Sequence, residues 1–183
     1  HTDQGVGPAL VQGDHLLTAA YAVSLKTGSI EFIERFVHAV ERTVAGEIEQ
    51  ARAAGVISDE QTYRKIIAGK SGELLGAAAC LGAALSKSGK LDARVAVGRR
   101  IGSLYQQVDD LLDYCSAGHS GKPPLQDYRQ GKWTWVLGEA QVSDFGLPHE
   151  QVAEAIFGQS GKGPSVAERA IKALEEARDE LVP

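Results

Sequence analysis

Methionine is missing from all 183 residues, cysteine occurs only twice, and aromatic side chains make up 6% of the chain. With no methionine and His1 as the first residue, the expectation is that a further segment precedes residue 1 in the translation product. Cys80 and Cys115 lie far apart in apolar surroundings, which argues against a disulfide framework or a zinc pair and for small core residues in a reducing compartment. No basic-then-apolar leader opens the sequence, and the most apolar stretch, Leu74 to Leu85, falls short of the ~20 residues that a spanning helix needs. A soluble, cytoplasmic chain with no transmembrane segment is therefore expected. Lys and Arg number 19 against 24 Asp and Glu, a formal charge of −5. No basic run alternates with aromatics, so nucleic acid is not an expected partner.

What is present is helical periodicity almost throughout, with no alternating segment long enough for a strand. The class expected is all-α, a single helical domain over residues 1–183, long enough to bury roughly 70% of its extended surface. A first helix is predicted from Pro8 to Leu25, with an exit turn at Lys26 to Ser29, and a second from Ile30 to Ala54, stopped by Gly55. Ser58 with Gln61 reads as a capping box opening a third helix to Leu85. A fourth, Asp92 to Tyr114, places Val97, Ile101, Leu104, Val108, Leu111 and Cys115 on one apolar stripe expected to be buried. A Gly/Pro/Ser-rich loop follows from Ser116 to Pro124. A short helix is then predicted from Gln130 to Glu139, another opening at Pro148, and a last one capped by Ser165 and Glu168.

The most informative segment is Tyr105-Gln106-Gln107-Val108-Asp109-Asp110-Leu111-Leu112-Asp113-Tyr114. Helical spacing puts Gln106, Asp109, Asp110 and Asp113 on one face and turns Val108, Leu111 and Leu112 toward the core. Crowded carboxylates late in a helix oppose both one another and the helix dipole, by a few tenths of a kcal/mol per pair, roughly. A hard divalent cation reverses that sign, and Mg²⁺ takes one or two carboxylates while keeping positions for water and phosphate oxygens. The cluster is either a metal bridge to a diphosphate or a solvated acidic patch. The loop beyond it supplies Gly118, Gly121, Lys122, Gly131 and Lys132, cations and flexible backbone of the kind phosphate oxygens require. Lys70, on the helical face of Ile66, Ile67 and Leu74, is snorkelling, paired with Glu73, or aimed at a ligand.

These strings together resemble the trans-isoprenyl diphosphate synthases, the polyprenyl synthetase family. Y-Q-Q-V-D-D-L-L-D-Y with G-K-P-P-L-Q-D-Y-R-Q-G-K-W-T is similar to the family's second aspartate-rich motif and lysine loop. Leu10 to Leu17 resembles its G-D-x-L-L helix, Gly46-Glu47-Ile48-Glu49-Gln50 its G-E-x-x-Q segment, and Lys70-Ser71 its K-T pair, all in the family's order. The resemblance implies an antiparallel helix bundle of the isoprenoid synthase type and the condensation of isopentenyl diphosphate with an allylic prenyl diphosphate. It also implies Mg²⁺ on Asp109, Asp110 and Asp113. Asp109, Asp110 and Lys70 would then be catalytic, and Lys70, Ser71, Gln106, Lys122, Lys132 and His1 would contact diphosphate. It further implies a homodimer, with a heteromer the alternative.

The departures are a first aspartate-rich motif and an arginine pair, which family members carry upstream of the G-D-x-L-L helix. His1 matches a histidine just after that segment, so the chain resembles the C-terminal two thirds of such a synthase. Ser71 stands for threonine and keeps its hydroxyl, and Trp135-Val136 replaces a leucine-proline pair. Other readings are a non-catalytic subunit, a class I terpene cyclase, and a helical bundle with an incidental acidic face. Asp14 and His15 read as a structural pair, Trp133 and Trp135 as core or interface anchors, and Gly76 to Ala84 as a close helix contact.

Overall fold

The computed structural model describes residues 5–85, 91–114, 124–158 and 165–179. Among these there are helices and turns but no strand, as the periodicity requires. The elements are α1 (Val6–Leu25), α2 (Ile30–Arg52), α3 (Glu60–Ile67), a π-helical turn (Ala68–Gly72), α4 (Glu73–Leu85), α5 (Leu91–Tyr114), α6 (Gln126–Arg129), α7 (Trp135–Glu139), α8 (His149–Phe157) and α9 (Val166–Asp179).

Local chemistry sets most boundaries. Gly28 (φ 66°) turns the chain out of α1, and the Ser29 hydroxyl accepts from the Phe32 N–H to start α2. Asp59, not Ser58, caps α3: its carboxylate accepts from the Thr62 N–H at 2.7 Å, and a charged acceptor at a helix start is the stronger cap. Ser165 and Glu168 form the reciprocal capping box expected of α9. Of the helix predicted from Gln130 to Glu139 only Trp135–Glu139 is helical, because α6 has already ended at Arg129 and Gly131 (φ 68°) turns the chain between them. Cys115, Lys122 and the greater part of the 116–124 loop lie outside the described residues, as does His1.

The helical run Glu60–Leu85 is continuous over 26 residues, longer than the Leu74 to Leu85 stretch, and by length and composition alone is long and apolar enough to cross a membrane. Here the run is the central element between α2 and α5, with Tyr63, Ile66, Ile67, Ala77 and Cys80 all buried.

Glycines bring those neighbours close. A Cβ on Gly46 of α2 would lie 2.8 Å from the Lys70 nitrogen, one on Gly98 of α5 would lie 2.5 Å from the Leu75 carbonyl, and one on Gly102 would collide with the Ser71 carbonyl. The π turn is thus gripped on both sides by bare backbone, a fit only glycine permits. This grip decides which face of α5 is buried. Val95, Gly98, Gly102, Gln106 and Asp110 form the covered line, together with Leu111 and Tyr114, whereas Val97, Ile101, Val108 and Leu112 are 38–47% exposed. Among the described residues of the predicted stripe Leu111 alone is buried, with Leu104 half-buried. Close helix approach through glycine gains more contact than the bulkier apolar face can.

The main core lies further along, where Leu111 and Tyr114 meet Leu125, Tyr128, Val136, Leu137, Val152 and Ile156 from α6 to α8. It forms the platform under the C-terminal end of α5.

Candidate functional site

The C-terminal half of α5 forms one wall of a cavity of about 560 Å³, which Gln50, Lys70, Gln106, Asp109, Asp110, Leu112, Asp113, Gln126, Asp127, Gln130 and Lys132 line. The folded chain thus brings together Lys70, Gln106, Asp109, Asp110, Asp113 and Lys132 from three stretches of sequence. Ser71 joins them through its hydroxyl, which donates to Gln106 Oε1 at 2.8 Å.

The three aspartates are not equivalent. Asp110 is 4% exposed. Its Oδ2 accepts from the Tyr63 hydroxyl at 2.6 Å and its Oδ1 from Gln106 Nε2 at 2.9 Å. Ser71, Gln106, Asp110 and Tyr63 are thereby joined in one continuous hydrogen-bonded line. Burial pushes the Asp110 carboxyl up to about 6, the two donors offsetting part of that rise. It also pushes the Tyr63 phenol far above its ordinary value. Asp113 is half-buried, and one of its oxygens accepts from the Asp127 N–H at 2.8 Å while its carbonyl accepts from the Leu125 N–H at 2.8 Å. Burial raises its pKa, and the backbone donors of Asp127 and Gln126 partly restore it. Asp113 thereby receives the chain as it returns to the site through Leu125, whose left-handed φ of 63° is a costly conformation for a leucine. Asp109 is exposed at the cavity.

The two lysines are held. Lys70 Nζ donates to Gln50 Oε1 at 3.0 Å and pairs with Glu47 Oε1 at 3.3 Å, so of the three readings of this lysine the pairing with Glu73 is not formed; Glu73 binds the Arg99 guanidinium at 2.7 Å. The wide π turn moves Glu73 off the face an ordinary helix would give it. Lys132 Nζ donates to Asp127 Oδ1 at 3.2 Å, and its backbone N–H to the Asp127 carbonyl at 2.8 Å. The turn carrying it is fixed to the α2–α3 turn by the Gly55 N–H donating to the Gly131 carbonyl at 2.8 Å, two glycine backbones in contact. An ammonium has three donors, so each lysine retains capacity toward the cavity.

Glu47, Gln50 and Asp127 were quoted within motifs but given no role; their residue types beside Lys70 and Lys132 were the available signal. Tyr63 gave none, since its partner lies 47 residues away. Trp133 meets Tyr63 edge-on, centroids 5.9 Å apart, and Trp135 Nε1 donates to the Gln107 carbonyl, so both indoles anchor α7 to the site wall.

Four carboxylates against two ammonium groups leave the described cavity wall acidic. Its donors are all oxygens, which suits a hard divalent cation. Among the described residues no three His, Cys, Asp or Glu side chains are grouped so as to hold an ion by themselves.

The polyprenyl synthetase family model matches residues 1–174. The chain belongs to the polyprenyl synthetase family. Among curated members, the octaprenyl diphosphate synthase of Escherichia coli (strain K12) is 28% identical over 181 residues, covering 93% of this chain and 53% of that protein. The nonaprenyl diphosphate synthase of Mycobacterium tuberculosis is 31% identical over 136 residues, 71% of this chain and 40% of that protein. The chain thus spans about half the length of these relatives. Among solved structures, octaprenyl pyrophosphate synthase from Helicobacter pylori superposes with a TM-score of 0.79 at 24% identity, covering 95% of this chain and 64% of that one. A polyprenyl synthase from Caulobacter crescentus, complexed with calcium and isoprenyl diphosphate, gives a TM-score of 0.71 at 26% identity, covering 95% and 56%. The fold is that of the isoprenoid synthases, all-α, as expected.

Proposed function

We propose that the chain supplies the diphosphate-binding wall of a prenyltransferase that condenses isopentenyl diphosphate with an allylic prenyl diphosphate to give a longer trans-polyprenyl diphosphate. The observation that carries the reading is one cavity in which an exposed carboxylate, Asp109, faces two tethered ammonium groups, Lys70 and Lys132. The calcium and isoprenyl diphosphate of the Caulobacter crescentus protein agree with that chemistry.

Asp109 is the carboxylate with the most freedom to meet a cation, Asp113 contributes what its loop contact leaves, and Asp110 acts from behind. Mg²⁺ bound there would neutralise charge on the diphosphate. Lys70 and Lys132 would donate to the same phosphate oxygens as negative charge grows on the leaving group, and because Gln50, Glu47 and Asp127 already fix them, little reorganisation accompanies the step. Leu112 starts an apolar line continuing through Val108, Tyr105 and Ile101 on the open side of α5, against which an isoprenoid tail would be sheltered from water.

Since no three cation-binding side chains gather among the described residues, the other ligands would come from substrate, water, residues outside the described ones or another polypeptide. The last option favours a second reading, a subunit that shares its site with another chain. Calorimetry with pyrophosphate, with and without Mg²⁺, tests the shared premise; Mg²⁺-dependent binding lost in Asp109→Asn is expected, and binding indifferent to both would refute it. Incubating the chain with labelled isopentenyl diphosphate and an allylic diphosphate, alone and with a candidate partner, separates the two readings by where product forms.

A further inference from the structure

Tyr63 touches both halves of this cavity while lining none of it. Its hydroxyl donates to Asp110 Oδ2 at 2.6 Å, its ring edges Trp133 next to Lys132, and it is 2% exposed. Asp110 has Tyr63 on one oxygen and Gln106 on the other, so its carboxylate is a two-point tether on the turn of α5 that carries Asp109. That turn has reason to need one. It lies within the last two turns of a helix ending at Tyr114, where acidic side chains oppose the helix dipole and each other. On its other side Val108 and Leu112 are 38% and 47% exposed, so packing from that side is only partial.

We propose that Tyr63 is a positioning residue: by holding Asp110 from behind it sets the direction in which Asp109 presents its carboxylate to a divalent cation and diphosphate. The inference rests on the diphosphate reading above. It goes further in assigning a role to a buried phenol on α3, seven residues before Lys70 and across the π turn. Trp133 places the lysine-bearing turn against the same ring, so one side chain sets both the cation wall and the ammonium wall.

The test is calorimetric titration of the full chain with inorganic pyrophosphate, with and without Mg²⁺, in wild type, Tyr63→Phe, Asp110→Asn and the double variant. Phenylalanine keeps the ring against Trp133 and removes only the hydroxyl. About a tenfold weakening of the Mg²⁺-dependent binding is expected in Tyr63→Phe, larger than any loss without Mg²⁺. The double variant should be no weaker than Asp110→Asn, because the phenol acts through that carboxylate. Equal losses with and without Mg²⁺, or additive losses in the double variant, would overturn the proposal. Should Tyr63→Phe fail to fold, the comparison of the double variant with Asp110→Asn decides alone, a further loss of Mg²⁺ dependence being fatal. A wild type that binds no Mg²⁺-pyrophosphate would remove the functional reading itself, whereas wild-type binding that Tyr63→Phe matches would remove only this inference.

Discussion

Replacing Gly102 by alanine asks whether the α5 backbone truly rests on the π turn. In an open helix interior, glycine to alanine is favourable by about 1 kcal/mol, since alanine loses less backbone entropy on folding. Gly82 of α4 provides that reference, with nothing within 4 Å of a Cβ placed there. At Gly102 the new methyl would sit 2.8 Å from Gly72 Cα and run into the Ser71 carbonyl. These are main-chain atoms with no rotamer to escape into, so the helices must part. Overpacking of this kind costs roughly 1–3 kcal/mol or more, and separation also lengthens the Ser71–Gln106 bond that begins the line to Asp110. The propensity gain is common to both variants and is cancelled or overwhelmed at Gly102, so the two should differ by the overpacking term, roughly 1–3 kcal/mol or more, with Gly102→Ala as much as about 2 kcal/mol below wild type. At roughly 2–4 °C per kcal/mol for a chain of this size, Gly82→Ala should melt a few degrees above wild type and Gly102→Ala several degrees below. Thermal unfolding followed by circular dichroism measures both. If the two substitutions raise the melting temperature alike, the close contact is wrong, and with it the account of which α5 face is buried.

Asp110→Asn should stabilise the metal-free protein at pH 7. Because the folded-state pKa of about 6 lies above the ordinary 3.8, wild type keeps the benefit of the neutral carboxyl below pH 3.8 and loses about 3 kcal/mol as pH rises through 6. Urea titrations across that range should show the gap between variant and wild type open with pH, and a gap independent of pH would refute the assignment of burial as the cause. At the start of α3, Asp59→Ala should cost about 1 kcal/mol and Ser58→Ala almost nothing; equal losses in chemical denaturation would restore the capping role to Ser58. Lys132→Ala should weaken pyrophosphate binding both with and without Mg²⁺, unlike Asp109→Asn, whose effect should require the cation; calorimetry under the two conditions separates them.

Helices with terminal signals in their own residues were legible in the sequence: α1 closing at a glycine turn, α2 starting at Ile30, α9 opening on its Ser165–Glu168 box. The aspartates, Lys70, Lys132 and Gln106 could be singled out because carboxylates and ammonium groups at helical spacing are poor choices for packing. The sequence did not show how their duties divide. Asp109 and Asp110 are adjacent and chemically identical, and only the tertiary position of Tyr63 and Gln106 distinguishes an exposed carboxylate from a buried tether. The stripe through Val97, Ile101 and Val108 was misjudged because side-chain hydrophobicity is visible in sequence, whereas the benefit of close contact through Gly98 and Gly102 depends on a neighbour. Glu73 stood among the alternatives for Lys70 for a related reason: ordinary helical spacing suggests that pair, and it does not hold across the π turn Ala68–Gly72.

That wide turn makes the helix sensitive to its residue count. An α-helix advances about 100° per residue, and the wider π turn takes in one extra residue within the same rotation, so winding Ala68–Gly72 as regular α-helix would swing everything beyond it by more than a quarter revolution. Gly76, Ala77 and Cys80 would leave the groove they occupy, and the Ser71 hydroxyl would face away from Gln106. Substitutions can be absorbed along much of this helix, but losing the wide turn at this one place while keeping its residue count would undo the bundle and the site together.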